Sequence, residues 1–277
     1  MTIKGVLFDF SGTLFRAEPT ESWLRAVLRD ADLTLPEREL TEAADALEAV
    51  GALPGGGVAP RLPEGSEDLW RRRDESAERH RAMYTAISRQ VRLPDARLHD
   101  ALYDRHMLPA AWGPYPDTAE VLDALCGRGV AVGVVSNIGW DLRPVFREHG
   151  LDRYVGAYVL SYEHGVQKPD TRLFATACDA LGIAPEDTLM VGDDRRADGG
   201  AAALGCADSR RCRAQEPLTL SSDSPRPAKT VVRAPRPGSP RTRTSRVAGA
   251  AGPSTGRARA PVVRAARVPW RCRSALM

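Results

Sequence analysis

The stretch Val6-Leu7-Phe8-Asp9-Phe10-Ser11-Gly12-Thr13-Leu14 decides how this chain is read. Residues 3–8 (IKGVLF) form an apolar run suited to a buried strand, and the run stops at a carboxylate. A Ser-Gly-Thr turn follows at once. In a doubly wound α/β sheet, ligands sit beyond the carboxyl ends of the strands. A carboxylate at such an end is therefore a candidate site residue as well as a candidate helix N-cap.

Reading outward, residues 21–33 predict a helix, because Trp23, Leu24, Val27, Leu28 and Ala31 recur at spacings of three and four. A second helix is predicted over 36–50, from Pro36 to the residue before Gly51. GALPGGGVAPRLPEG (51–65) reads as a loop. One long helix is predicted over 66–91, with Met83, Ile87 and Val91 on one face, and another over 95–107 after Pro94. Residues 16–107 thus read as helical, with no clear strand.

From Trp112 the pattern alternates. Helices are predicted over 117–128, 141–149 and 170–181, and short apolar strands over 130–135, 155–160 and 188–191. This predicts an α/β fold: a Rossmann-like, doubly wound parallel sheet with helices on both faces and an inserted all-α domain after the first strand.

Composition narrows the class. The 277 residues are 43% hydrophobic and 27% charged, as in soluble globular proteins. The five cysteines are odd in number and lack CxxC spacing, which argues against a disulfide framework or structural zinc and for a reducing cytoplasm. No apolar run of about 18 residues predicts a membrane helix. Asp9 makes the N-terminal run a poor signal peptide. The net charge of +3 hides a division: residues 206–277 carry 16 Lys and Arg against 3 Asp and Glu, so residues 1–205 are net acidic.

Four strand ends carry polar chemistry. The first ends at Asp9, with Ser11, Gly12 and Thr13 in the turn, and the 130–135 strand runs into Ser136-Asn137. Gly165-Val166-Gln167-Lys168-Pro169 follows the 155–160 strand. The 188–191 strand ends in Gly192-Asp193-Asp194, with Asp198 beyond. Each alone has a bland reading as a cap, a turn or a solvated surface residue; all four at strand ends, in this order, read as one site.

The order DxxGT, S-N, K-P, GDxxxD resembles the haloacid dehalogenase (HAD) superfamily of hydrolases. The resemblance covers residues 1–205, with 1–15 and 108–205 as core and 16–107 as a helical type I cap. It implies Asp9 as nucleophile and Mg²⁺ as cofactor, held by Asp9, the Ser11 carbonyl and Asp193, with Asp194 and Asp198 in an outer shell. It further implies Lys168 and Ser136 as groups that neutralise and bind a phosphoryl group, with Gly12, Thr13 and Asn137 lining the substrate site. The expected partner is a small phosphorylated molecule, cleaved through an aspartyl-phosphate.

Ser11 departs from the pattern. Phosphatases of this family usually carry DxD, whose second aspartate protonates the leaving group. Serine is no acid near neutral pH, so a factor of about 10²–10⁴ is at stake if proton transfer matters. A haloacid dehalogenase reading needs no such acid, and Arg16 is a candidate for holding a substrate carboxylate. Glu78 and His80 are conceivable acids from the cap, although a solvated helix face is the expected place for both. A phosphonatase needs a cap lysine, and the only lysines are Lys4, Lys168 and Lys229.

Residues 206–277 hold nine prolines and one aromatic residue, Trp270. They read as disordered. The charge break and the lack of a readable last strand motivate the hypothesis of a changed reading frame near Cys206. The rival reading is a basic arm that binds nucleic acid without sequence preference. The absence of interleaved aromatics speaks against a selected nucleic-acid role.

Overall fold

The computed structural model describes residues 2–208 and the short strand 219–220. In chain order the strands are β1 (Thr2–Ile3), β2 (Gly5–Phe8), β3 (Phe15–Ala17), β4 (Trp112–Pro114), β5 (Ala131–Ser136), β6 (Ala157–Leu160), β7 (Thr188–Val191), β8 (Ala207–Asp208) and β9 (Thr219–Leu220). The α-helices are α1 (Thr20–Asp30), α2 (Glu37–Ala49), α3 (Glu67–Arg71), α4 (Ala77–Ser88), α5 (Leu98–His106), α6 (Thr118–Gly127), α7 (Arg143–Glu148), α8 (Ser161–His164), α9 (Thr171–Leu181), α10 (Arg195–Asp198) and α11 (Gly200–Leu204).

The main sheet is parallel throughout, in the order β6-β5-β2-β7-β8. Every residue of β2 and β5 is buried, as expected for strands covered on both faces by helices. After β2 the chain goes first to β5 and β6 on one side, then crosses to β7 and β8 on the other. The crevice at this reversal lies beyond the carboxyl end of β2, which is where Asp9 stands. The core on one face includes Phe8, Phe10, Val132, Leu142 and Phe146, and on the other Leu7, Val135, Leu173, Phe174 and Met190.

The helical insert has its own apolar cluster, with Trp23, Leu24, Leu47, Met83, Ile87 and Leu102 buried together. Trp23 Nε1 donates to the Leu102 carbonyl at 2.8 Å, fastening α1 to α5. The insert enters and leaves through an antiparallel ribbon, β3 against β4, where the sequence led us to expect no strand. Just past β3, Glu18 makes a two-pronged ion pair with Arg105 of α5 at 2.8 and 3.0 Å.

Two further expectations need correction. The helix predicted over 66–91 is broken into α3, a 3₁₀ turn at Arg73–Glu75 and α4. Ser76 takes an extended conformation, and its hydroxyl accepts the Arg79 N–H, capping a new helix. A strand also follows Gly205: Cys206 is buried and β8 pairs with β7. The expectations of disorder, a changed reading frame and a nucleic-acid arm concern residues that otherwise lie outside those described. Cys178 and Cys206 are free and buried. No helix among the described residues is long and apolar enough to cross a membrane.

Phe10, next to Asp9, packs in an aromatic cluster with Phe15, Trp112, Trp140 and Phe146. His106 is fully buried against Trp112 and Trp140, and neither ring nitrogen finds a partner among the described residues. Burial lowers its pKa to about 3. A depressed histidine contributes stability above its unfolded pKa, and that contribution is lost as pH falls. Between pH 6.5 and 5 His106 alone removes about 2 kcal/mol. Denaturant unfolding at the two pH values should show His106→Leu losing correspondingly less stability than the parent protein; equal losses would contradict a buried neutral imidazole.

Candidate active site

Four strand ends converge. Asp9 follows β2, and its backbone N–H donates to the Val191 carbonyl of β7 at 3.0 Å. The turn after it closes through Leu14 N–H and Phe15 N–H, both donating to the Phe10 carbonyl at 3.0 Å. Gly12 has φ of 78°, and a Cβ there would overlap Asp193 Oδ2. Only glycine tolerates both the conformation and the close approach.

Lys168 is the centre of the arrangement. It is 3% exposed. Its Nζ donates to Asp9 Oδ1 at 2.8 Å and to Asp198 Oδ1 at 2.7 Å. Its backbone is held by Asn137: Nδ2 donates to the Lys168 carbonyl at 3.1 Å, and Oδ1 accepts the Lys168 N–H at 2.6 Å. Asn137, expected to line the substrate site, therefore holds the lysine backbone. Burial works to lower the Lys168 pKa, but Asp9 and Asp198 outweigh it and hold it above the usual value. Ser136, at the end of β5, is buried.

The carboxylates outnumber the cation. Burial, reinforced by Asp9, raises the pKa of Asp193. Burial also raises that of Asp198, against the pull of Lys168. Asp198 Oδ2 is buried without a hydrogen-bond partner among the described residues. Asp194, expected in the outer shell, has a structural contact of its own. It is exposed and caps α10, its Oδ1 accepting the Arg196 and Ala197 N–H groups at 2.8 and 3.1 Å. Asp9 Oδ2 and the Asp193 carboxylate accept no side-chain hydrogen bond among the described residues. Among the described residues, no three acidic, histidine or cysteine side chains converge on one metal-sized centre.

The helical insert meets the site at two places. Ser11 Oγ donates weakly to the Gly55 carbonyl at 3.4 Å. Gly55 has φ of 73°, and a Cβ there would overlap Ser11 Oγ. The 51–58 loop thus rests on the small side chain of Ser11. A cleft of about 530 Å³ opens beside this contact, walled by Gly12, Arg16, Tyr115, Asp193 and the loop around Gly55. Thr13 Oγ1 is buried with no partner among the described residues.

The second meeting place was missed in the sequence. Asp74 lies in the 3₁₀ turn before α4, and its N–H donates to Gln167 Oε1 at 3.2 Å, one residue before Lys168. His80, expected on a solvated face, is buried; Glu78 is exposed. Recognising Ser76 as an N-cap would have broken the helix there and set Asp74 in a turn.

Removing the lysine charge leaves Asp9 and Asp198 buried and mutually repelling. Loss of one partner from a buried charge pair typically costs about 3–5 kcal/mol. Lys168→Met should therefore lower the unfolding free energy at pH 7 by an amount of that order, measured in urea, and a neutral effect would contradict the buried triad.

Residues 3–205 match the model of the haloacid dehalogenase-like hydrolases. The chain is 27% identical over 218 residues to (S)-2-haloacid dehalogenase 4A from Burkholderia cepacia, covering 74% of this chain and 80% of the relative. It is 25% identical over 209 residues to phosphoglycolate phosphatase from Escherichia coli, covering 74% and 79%. Among solved structures, a dehalogenase in an intermediate complex is similar with a TM-score of 0.54 at 24% identity, over 80% of this chain and 94% of that one. The HAD hydrolase YfnB from Bacillus subtilis, bound to magnesium, has a TM-score of 0.53 at 18% identity, over 75% and 88%. These two structures speak to the fold. The chain belongs to the haloacid dehalogenase-like hydrolase family.

Proposed function

We propose that this hydrolase is a Mg²⁺-dependent phosphatase that acts on a small phosphorylated molecule through an aspartyl-phosphate on Asp9. The observation that carries this reading is the carboxylate surplus. Asp9, Asp193 and Asp198 face a single cation, Lys168. The donor set is all oxygen, the Gly12 backbone leaves room for Asp193, and Asp198 has a buried oxygen without a partner among the described residues. That chemistry fits a hard divalent ion, which needs few protein ligands because Mg²⁺ keeps several waters. Asp9, Asp193 and the Ser11 carbonyl would hold it, with Asp198 bound instead to Lys168. When bound, the ion supplies positive charge that lets an anionic phosphate approach a carboxylate.

The residues divide the remaining work. Lys168 holds Asp9 Oδ1, which leaves Oδ2 to attack phosphorus. The lysine also offsets charge on the transferring group. Ser136 and Thr13 offer hydroxyl donors to the phosphoryl oxygens. Water then cleaves the acyl phosphate.

One observation favours a second reading, hydrolysis of a carbon–halogen bond. Ser11 supplies no acid, halide needs none, and Arg16 is exposed in the cleft wall, where it could hold a substrate carboxylate. Phosphate release from phosphomonoesters and acetyl phosphate, with Mg²⁺ and with EDTA, separates the two. The expected result is release that needs Mg²⁺ and disappears in Asp9→Asn. Chloride release from 2-chloropropionate that survives EDTA, with no phosphate release, would replace the phosphatase reading with the second one.

A further inference from the structure

Resting on the phosphatase reading, we propose that Asp74 of the helical insert is the proton donor to the leaving group, taking over the task that Ser11 cannot perform. Asp74 is 2% exposed, in the turn between α3 and α4. Its backbone is bonded to Gln167, next to Lys168, so it is fastened to the reaction-centre side of the insert. Its Oδ2 makes no hydrogen bond among the described residues, although Arg73 Nη2 lies 3.2 Å away. The Asp74 carboxyl is thus held in a buried turn by its ion pair with Arg73.

Behind Asp74 stands a buried polar chain. Asp74 Oδ1 is 3.7 Å from His80 Nε2, and His80 Nδ1 is 2.6 Å from the Tyr103 hydroxyl. The His80 ring lies against the backbone of Gly139, in the loop that follows Ser136 and Asn137. Burial, helped by His106 and Arg73, keeps His80 well below the ordinary histidine pKa, and so neutral. The charged and titratable groups around Asp74 are Arg73 on its own turn, His80 and Tyr84 of α4, and Lys168 and Asp9 from the core. The packed α8 adds Glu163, paired with Arg143, and exposed His164. Burial raises the Asp74 pKa, against Arg73 and Lys168 and with Asp9, to about 6. An acid in that range is protonated often enough near neutrality to donate.

The step balances. Asp9 bonds to phosphorus as the bond from phosphorus to the ester oxygen breaks. The Asp74 proton passes to that oxygen, releasing an alcohol. The Asp74 carboxylate next accepts a proton from the water that cleaves the acyl phosphate, which regenerates both carboxyl groups and yields inorganic phosphate.

The test compares kcat/KM on ethyl phosphate, whose alkoxide must be protonated, with acetyl phosphate, whose acetate need not be. For the full chain with Mg²⁺, Asp74→Asn should lose about 10²–10⁴-fold on ethyl phosphate and less than about threefold on acetyl phosphate. Equal losses on both, or none, would overturn the assignment and leave the phosphatase reading standing. Should Asp74→Asn not fold, the pH dependence of the natural protein decides instead: the ratio of ethyl to acetyl phosphate kcat/KM must fall as pH rises past about 6, where the acid ionises. A flat ratio overturns the proposal. Cleavage of acetyl phosphate but not ethyl phosphate by the natural protein also overturns it, since no acid would be operating. Failure on both substrates by folded protein would instead remove the phosphatase reading, and this proposal with it.

Discussion

One buried ammonium holds the site together. Lys168 lies between Asp9 and Asp198, and its two short ion pairs join the end of β2, the loop after α8 and the helix α10. Burying three charges is expensive, by several kilocalories per mole for each ion. It is tolerated only where hydrogen bonds replace the lost water, and Asn137 supplies part of the frame by holding the lysine backbone on both sides. The order of the parallel sheet follows from the same need, since β2 must lie between β5 and β7 for these groups to meet. The fold and the site are in this sense one constraint.

The helical insert contributes more than a cover. Its 51–58 loop rests on Ser11 through Gly55, and its 3₁₀ turn is bonded to Gln167 beside Lys168. Both contacts depend on small or bent backbone: a glycine with positive φ in the first, a break between two helices in the second. An aspartate at position 11 would crowd the first contact. A small side chain at position 11 and the close seating of the loop are thus linked by simple volume, while the second contact sets Asp74 beside Gln167.

Much of this was legible in the linear chain. The strands and most helices announced themselves through apolar runs and spacings of three and four, because those patterns report local burial. The four polar strand ends were legible for the same reason, each being a short strand followed by its own turn. The helix break at Ser76 was harder, since Ala77 to Ser88 continues a plausible helical pattern and only the cap geometry marks a fresh start. Missing that break left His80 on an expected solvated face, when it is buried. β8 was also passed over, because two residues carry no periodicity.

The sequence by itself determined the alternation of elements, the family resemblance and the position of Asp9, Lys168 and Asp193 beyond strand ends, since these depend on neighbours within a few positions. Only the tertiary structure decided which partners they have. It paired Lys168 with Asp198 across 30 positions and with Asp9 across 159, gave Asn137 a positioning task, turned Asp194 into a cap, and brought Asp74 beside Gln167 across 93. Burial and charge pairing at such separations arise when distant segments pack, and no local pattern encodes them.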